Sequence, residues 1–364
     1  MEDNSMQLTT LLVNRKNITD IRAVTDAAPV LAKGNVRFKI ENFALTANNV
    51  TYAAAGDALK YWQFFPAEKG WGKVPVWGIG QIIETGVEGV SVGDRYFGYF
   101  PMASHLHVTP DRINPPGFRD VMPARVDLPP IYNRYERLTE ASDLDADLED
   151  RLSLLRPLYA TSFLLWDFMV DNDWFGAEQI IVSSASSKTS IGLLSLAKRQ
   201  GPKVVGLTSP GNVTFVERLQ ICDQIIDYDA IASDVDQVPS VYVDIAGHSQ
   251  ATKTLHERLG DDLKHSAAVG TSHWDKFAPT GGLAGPKPLF FFAPSQSEKR
   301  LKDWGPEILE NRIKDCWREL AMESRNWMNI EHHNGADKAM AIYQHVADGS
   351  LSPTVGVIIS LADS

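Results

Sequence analysis

Residues 184–190 form a run of small side chains in which hydroxyl groups predominate and a single lysine, Lys188, stands in the middle. Residues 180–182 before the run are apolar, as in a buried parallel strand, and residues 191–199 after it follow the pattern of a helix. The first amides of a helix lack acceptors within the helix, and the helix dipole favours negative charge there. A strand, a turn of small residues and a helix therefore predict an anion site.

The side chains of this turn could add to such a site. Hydroxyl groups would donate hydrogen bonds to a pyrophosphate, and Lys188 would supply positive charge. The hydroxyl-bearing residues are Ser184, Ser186, Ser187, Thr189 and Ser190. The alternative interpretation is that these residues only cap their own helix.

A second predicted strand begins at Lys203 and ends near Thr208 and Ser209. In a dinucleotide-binding fold the adenosine ribose lies at the end of this strand, where an acidic residue binds the ribose diol and repels a 2′-phosphate. The sequence has no acidic residue there, but it has Thr208, Ser209 and Asn212, with Arg218 further on. This pattern favours NADP(H) over NAD(H), and the alternative is an ordinary polar loop.

The elements around these residues alternate between helices and strands. The sequence predicts helices over 213–221 and 249–259 and strands over 224–228, 240–246 and 264–270. Alternation at this spacing is typical of a parallel, doubly wound sheet. A further helix over 335–346 and a strand over 355–361 are predicted at the end of the chain.

The first part of the chain has a different periodicity. Residues 36–43 alternate between apolar and polar side chains, and short strands are predicted over 76–83 and 94–100 with a glycine-rich turn between them. This spacing indicates a small β-barrel or sandwich. We expect residues 110–130 to form an extended surface loop and residues 138–156 to form a helix that ends at Pro157.

Composition excludes several classes of function. The chain has 364 residues, 44% of them hydrophobic, which is enough for two sizeable cores. A net charge of −11 without a basic run argues against a nucleic-acid partner. Two cysteines cannot form a disulfide framework, and neither a transmembrane stretch nor a signal peptide is visible, so we expect a cytoplasmic protein that does not bind membranes.

In their order along the chain, several segments resemble the medium-chain dehydrogenase/reductase superfamily, especially its zinc-independent quinone and enone reductases. The segments are residues 179–229, Asn48-Asn-Val-Thr-Tyr, residues 78–99 with Val-Gly-Asp-Arg, residues 241–247 and Val269-Gly-Thr-Ser. The resemblance implies an α/β protein with a GroES-like β-barrel catalytic domain over 1–155 and 300–364. It also implies a Rossmann NADP(H)-binding domain with a doubly wound parallel sheet over 156–299, and a homodimer formed through the edge of that domain.

The sequence departs from the family at the phosphate turn, where Ser184, Ser187 and Ser190 match three glycines. Added hydroxymethyl groups should push the cofactor outward or contact it directly. The resemblance places Thr161 and Ser162 beside the nicotinamide carboxamide. It also assigns four residues of the matching segments to cofactor binding, namely Ala246, Gly247, Gly270 and Thr271.

For the reaction, Asn49 and Tyr52 match the family segment that lines the catalytic cleft. Tyr52 is the predicted proton donor and Tyr61 the reserve, because a phenol can polarise a carbonyl group and supply a proton. The alternative is that Tyr52 only packs in the barrel. Three nearby tryptophans favour a hydrophobic or aromatic substrate: Trp62, Trp71 and Trp77. Residues 290–292, all phenylalanine, could wall a pocket or form the dimer edge.

A metal site is not expected. Cys222 and Cys316 lack neighbours suited to zinc, and the four-cysteine lobe of zinc-dependent family members is absent. His105 and His107 fall on one face of a predicted strand and could hold a metal, but a structural role in the barrel is favoured. His248 is a weak candidate for a pocket residue.

These patterns together predict a zinc-independent, NADPH-dependent oxidoreductase. Its substrate would be a hydrophobic small molecule with an activated double bond, as in an enone or quinone, or with a reducible carbonyl group. Two other classes stay open: a non-redox protein on the same fold that senses nucleotides or binds a partner, and a lyase or isomerase that uses the same cleft.

Overall fold

The computed structural model describes residues 6–245, 247–269 and 282–361. The chain divides into two compact units, Met1–Leu154 with Met328–Ser364, and Leu155–Trp327. The return to the first unit thus lies at Met328, whereas the sequence placed it at residue 300. The reason is that Leu309, on the helix Pro306–Ser324, is buried in a cluster with Phe163 and Leu164 of the second unit.

The described residues form the following elements. The strands are β1 (Gln7–Asn14), β2 (Ile21–Ala27), β3 (Val36–Leu45), β4 (Trp71–Gly72), β5 (Pro75–Thr85), β6 (Arg95–Pro101), β7 (His105–Val108), β8 (Pro110–Asn114), β9 (Gly117–Asp120), β10 (Arg134–Leu138), β11 (Gln179–Val182), β12 (Lys203–Thr208), β13 (Gln224–Asp227), β14 (Ser240–Asp244), β15 (Leu263–Ala268), β16 (Leu289–Phe290), β17 (Asn329–Asn334) and β18 (Val355–Ser360). The helices are α1 (Ala47–Ala54), α2 (Tyr61–Phe64), α3 (Ala146–Asp171), α4 (Lys188–Arg199), α5 (Val213–Leu219), α6 (Ile231–Asp234), α7 (Ser249–Leu259), α8 (Ala293–Asp303), α9 (Pro306–Ser324) and α10 (Ala336–Ala347).

The first unit is built on a mixed sheet of nine strands, in the order β17-β18-β3-β5-β6-β10-β9-β8, with β7 also paired to β3. Strands β17 and β18 are parallel, and the other pairs are antiparallel. A separate sheet of three strands has the order β2-β1-β4. The apolar faces of these strands enclose a core of packed aromatic rings, in which Phe38 contacts Phe100 and Tyr135. The predicted GroES-like architecture is confirmed.

Two predictions in this part of the chain were wrong. Residues 110–130 are not one extended loop, because β8 and β9 pair there and Gly117, with a φ of 147°, permits their tight connection. The helix predicted to end at Pro157 continues as α3 to Asp171, with the proline inside it. Apolar residues on both sides of Pro157, including Leu155 and Leu165, are fully buried, so packing outweighs the lost backbone hydrogen bond.

The second unit contains a parallel sheet of six strands in the order β13-β12-β11-β14-β15-β16. This is the strand order of a doubly wound Rossmann sheet. The strands are added on one side of β11 as far as β13, and then on its other side from β14 onward, so the order reverses between β11 and β14 although all strands are parallel. Val182 at the end of β11 aligns with Gly206 and Val243 of the neighbouring strands. The predicted Rossmann fold is therefore confirmed, with ligand-binding residues expected at the carboxyl ends of β11, β12 and β14. Within the described ranges, no helix has both the length and the apolar character needed to span a membrane.

Candidate functional site

The turn between β11 and α4 contains a serine in a conformation that usually requires glycine. Ser184 has a φ of 51°, in the left-handed region. Its amide donates a 2.8 Å hydrogen bond to the hydroxyl oxygen of Tyr228, which lies just after β13. This bond holds the strained residue in place. Sequence reasoning did not single out Tyr228, although its position at the end of a strand of the sheet was a usable signal.

The two other serines that replace glycines turn their hydroxyl groups into the turn itself. Ser187 is the N-cap of α4, and its Oγ accepts from the Ser190 amide at 3.2 Å and donates to Ser190 Oγ at 2.9 Å. Ser190 Oγ in turn donates to the carbonyl oxygen of Ser183 at 2.9 Å. The capping interpretation is thus correct for Ser187. The amide of Thr189 belongs to the first turn of α4, where a helix offers no acceptor.

Lys188, the first residue of α4, is half-buried. Burial lowers the pKa of its amine to about 8, because the charged form is poorly solvated. The amine remains mostly protonated at neutral pH. It therefore supplies positive charge at the beginning of the helix, next to Thr189.

At the carboxyl end of β12, the structure brings three predicted residues together. Asn212 Nδ2 donates to Ser186 Oγ at 3.2 Å and to Ser209 Oγ at 3.1 Å, which joins the serine-rich turn to the end of β12. Beside them Thr208 is buried, and its hydroxyl finds no hydrogen-bond partner in the described part of the chain. Arg218 is exposed in the last turn of α5.

Asp244 at the end of β14 was also missed by sequence reasoning. This buried carboxylate accepts from Ser183 Oγ at 2.8 Å, from the Gly247 amide at 2.9 Å and from Thr252 Oγ1 at 3.2 Å. It thereby fixes β11 to β14 and to the first turn of α7. His248 caps α7 by accepting from the Ala251 amide through Nδ1 at 3.1 Å, and its ring stacks on Tyr228.

The residues predicted beside the nicotinamide lie within α3. Thr161 Oγ1 donates to the Pro157 carbonyl oxygen at 3.4 Å, and Ser162 Oγ donates to the Thr189 carbonyl oxygen at 2.7 Å. Ser162 thus ties α3 to the first turn of α4. A glycine allows this close approach, since a Cβ on Gly192 would lie 2.5 Å from the Tyr159 ring. Three further predicted residues lie outside the described ranges: Ala246, Gly270 and Thr271.

In the first unit, the predicted catalytic tyrosines lie in a cluster of aromatic side chains. We call it the tyrosine cluster, and it comprises Tyr52, Tyr61, Trp77, Tyr99 and Tyr132. The rings of Tyr52 and Tyr61 are 4.4 Å apart between centroids, and the hydroxyl oxygens of Tyr61 and Tyr132 are 3.3 Å apart. Tyr61, Trp77 and Tyr132 are partly exposed, whereas Tyr52 and Tyr99 are buried.

The hydroxyl oxygen of Tyr52 accepts two hydrogen bonds, from Asn48 Nδ2 at 2.7 Å and from Trp77 Nε1 at 3.4 Å. Burial raises the pKa of Tyr52 well above its usual range, and these two donors oppose the rise. Burial also raises the pKa of Tyr61. Both phenols are protonated at neutral pH, as a proton donor must be.

Asn49, the other residue that matches the family segment of the catalytic cleft, lies in the first turn of α1. Its side chain is buried, with Oδ1 accepting from the Thr46 amide at 2.7 Å and Nδ2 donating to the Pro75 carbonyl oxygen at 2.9 Å. The amide that reaches Tyr52 belongs instead to Asn48. Asn48 and Tyr52 are four residues apart on α1, a spacing that places two side chains on one face of a helix and could have identified the pair.

The two histidines of β7 face cations. His107 is paired in register with Arg37 and His105 with Lys39 on β3. Burial, with the charges of Arg37 and Lys39, lowers the pKa of His105 to about 4. Two facing cations oppose the binding of a metal ion at this pair. Among the described residues, no three His, Cys, Asp or Glu side chains are grouped as a metal site would require.

The three phenylalanines at the end of the Rossmann sheet have separate environments. Phe290 lies on β16, the edge strand, and stacks on Phe292, which is exposed. Phe291 contacts Phe168 of α3 with its ring 5.5 Å away. Phe291 therefore packs inside the unit, and Phe292 lies at the surface beside the sheet edge.

Residues 43–352 match the profile of a protein family described as "Protein of unknown function (DUF2855)". The chain belongs to this family. No curated protein sequence matches the chain.

The fold of the chain is similar to the folds of several solved structures. A mutant form of enoyl thioester reductase from Candida tropicalis is 12% identical, with a TM-score of 0.60 over 98% of this chain and 100% of that one. The JamJ enoyl reductase is 14% identical, with a TM-score of 0.59, and the quinone oxidoreductase from Coxiella burnetii is 12% identical, with a TM-score of 0.54. Each alignment of these two covers 98% of this chain and 100% of the other. The predicted resemblance in fold to the medium-chain enoyl and quinone reductases is therefore confirmed.

Proposed function

We propose that the protein is an NADPH-dependent, zinc-independent oxidoreductase that reduces an activated double bond or a carbonyl group of a hydrophobic small molecule. One observation carries the proposal. The serines that replace two glycines of the phosphate turn, Ser187 and Ser190, direct their hydroxyl groups inward. They therefore do not cover the start of α4, which follows the first strand of a Rossmann sheet.

The residues of the second unit fit a phosphorylated dinucleotide. The amide of Thr189, with the Lys188 amine, would hold the pyrophosphate. The hydroxyl of Thr208, which is buried without a partner among the described residues, supports a polar ligand at the end of β12. Ser209 and Asn212 would donate to a 2′-phosphate there, and no carboxylate of this strand end would repel it. The chemistry that NADPH supplies when bound is hydride donation.

The residues of the first unit would bind and protonate the substrate. The tyrosine cluster offers neutral hydrogen-bond donors and aromatic walls, which suit an uncharged, hydrophobic molecule. Tyr52 would give a proton to the substrate, with Tyr61 as the reserve donor. Cytoplasmic location and a homodimer formed along the edge strand β16, where Phe292 is exposed, complete the proposal.

A thermal-shift experiment tests the proposal. We expect NADPH to raise the melting temperature by a few degrees at about a hundred times its Kd, because a ligand that binds only the folded state stabilises it by an amount that grows with the logarithm of the ligand concentration divided by Kd. At the same concentration, NADH should raise the melting temperature less because its Kd is higher. A screen of enones, quinones and aldehydes that monitors the nicotinamide absorbance would then identify the substrate class. The absence of any shift at millimolar NADPH would overturn the proposal.

A non-redox protein on the same fold is the second candidate. The hydrogen bond from Asn212 to Ser186 favours it, because these side chains already satisfy each other without a nucleotide. If such a protein binds a partner and no nucleotide, neither dinucleotide would change the melting temperature.

A further inference from the structure

Two hydrogen-bond donors from different elements reach the hydroxyl oxygen of Tyr52. Asn48 lies one turn before Tyr52 on α1, and Trp77 lies on β5. An amide nitrogen and an indole nitrogen can only donate hydrogen bonds, so both bonds to Tyr52 end on its oxygen. The hydrogen of the phenol must therefore point away from both of them.

Both donors are held firmly. The indole ring of Trp77 is stacked on Phe97 at 5.4 Å and packs against Tyr99 at 5.0 Å, its partner in the register of β5 and β6. Helix α1 is tied to β5 through the 2.9 Å bond from Asn49 to the Pro75 carbonyl oxygen. The positions of donors and acceptor are thus fixed before any ligand binds, which is what stabilises a developing charge most effectively.

A buried phenol needs such donors if it is to act as an acid. When Tyr52 loses its proton, negative charge appears on a buried side chain whose ring packs against the rings of Tyr61 and Tyr99. In such a site an unsolvated charge is costly, and hydrogen bonds to the charged form offset the cost.

We propose that Trp77 and Asn48 are positioning residues that hold the Tyr52 oxygen while its proton is transferred to the substrate. This inference rests on the proposed function, in which Tyr52 is the proton donor. In the step, the O–H bond of Tyr52 breaks and its electron pair stays on the oxygen. The proton adds to the electron pair left on the substrate by reduction, and a proton from water then restores the phenol.

The direct test replaces Tyr52 by 3,5-difluorotyrosine, whose phenol is more acidic, and follows its ionisation by absorbance. The titration needs neither NADPH nor a substrate. Trp77→Phe keeps the aromatic ring but removes the N–H, and Asn48→Ala removes the amide. We expect either change to raise the midpoint of ionisation by about one to two pH units, since each removes a hydrogen bond to a charged group.

Trp327→Phe is the matched control, because Trp327 packs on Phe215 in the other unit. It should leave the midpoint unchanged. If Trp77→Phe and Asn48→Ala behave like this control, the inference is wrong even where NADPH binds normally. Near-ultraviolet circular dichroism would show whether each variant keeps its packing, and Asn48→Ala provides the test if Trp77→Phe does not fold.

With a substrate in hand, the kinetics give a second readout. We expect Trp77→Phe to lower kcat about tenfold to a hundredfold and to leave KM within about twofold. A rise in KM with unchanged kcat would show that Trp77 binds the substrate instead, which contradicts the inference.

Discussion

Ser190 Oγ donates a 2.9 Å hydrogen bond to the carbonyl oxygen of Ser183, across the turn that joins β11 to α4. Because of this bond, the Ser190 hydroxyl group stabilises the turn and does not point toward the place where a phosphate would bind. From the sequence alone, the three serines are predicted to push a cofactor outward or to contact it directly. For Ser187 and Ser190, the internal hydrogen bonds provide a third arrangement that leaves the start of the helix accessible.

This arrangement predicts how Ser187→Ala will behave. The variant loses the N-cap of α4, so the free energy of unfolding should fall by about 1 kcal/mol, measured by urea denaturation. The affinity for NADPH should stay within about twofold, because the hydroxyl faces the turn and not the ligand. A large loss of affinity with little loss of stability would mean that the Ser187 hydroxyl binds the cofactor directly.

Lys188→Met should weaken NADPH binding about tenfold, because one charge-assisted contact to phosphate is lost. Lys198→Met is the matched control, since Lys198 lies at the other end of α4 and pairs with Asp223. Fluorescence titration of both variants measures the difference. If the two variants bind NADPH with equal affinity, Lys188 does not contact the cofactor.

The affinity of the wild-type protein should also depend on pH. The pKa of Lys188 is lowered to about 8 by burial, and a bound phosphate would raise it because it favours the charged form. Below pH 8 the amine is already charged, so affinity is at its maximum. Above pH 8 binding must take up a proton, and Kd should rise by up to about tenfold per pH unit. Lys188→Met should abolish this dependence, and a wild-type profile that is flat between pH 7 and pH 10 would contradict it.

Asn212→Asp tests the assignment of the cofactor. A carboxylate beside Thr208 and Ser209 would repel a 2′-phosphate but could bind a ribose diol. NADPH should lose more than about tenfold in affinity, whereas NADH should lose little or gain. The neutral Asn212→Leu controls for the lost bonds to Ser186 and Ser209. If Asn212→Asp and Asn212→Leu change the affinities for NADPH and NADH by the same factors, the 2′-phosphate does not lie at this strand end.

A buried ion pair in the first unit gives a prediction about stability. Asp120 is fully buried and Arg125 is 4% exposed, and the arginine also donates to the carbonyl oxygens of Phe64 and His107. Arg125→Met leaves the carboxylate without its partner, so the free energy of unfolding should fall by about 3–5 kcal/mol. The exposed Arg112→Met should change it by less than about 0.5 kcal/mol. Urea denaturation of both variants provides the comparison.

The fold could be predicted from the sequence because its signals are local and repeated. Alternation of apolar strands with helices identified the Rossmann sheet, and period-two patterns identified the barrel. The hairpin of β8 and β9 was missed, although residues 114–117, Asn-Pro-Pro-Gly, are a turn sequence, because the many prolines of the segment were interpreted as a loop. The path of α3 through Pro157 was missed because tertiary packing outweighed a local helix breaker.

The site was predictable only in part, because its details depend on the direction of side chains. Sequence reasoning chose Asn49, but Asn49 is the third residue of α1 and its side chain caps the helix start at Thr46. The spacing Thr46-x-x-Asn49 resembles a capping box and could have signalled this role. For Tyr228 and Asp244 the sequence offers no such motif, and the signal is only that each lies at the end of a predicted strand of the parallel sheet.

The most direct test of the account is a crystal structure of the protein grown with NADPH. We predict that the diphosphate lies within hydrogen-bond distance of the Thr189 amide and the Lys188 amine, with the 2′-phosphate beside Asn212. An empty turn at saturating NADPH, with the bond from Asn212 to Ser186 intact, would contradict the central claim that this turn binds a dinucleotide.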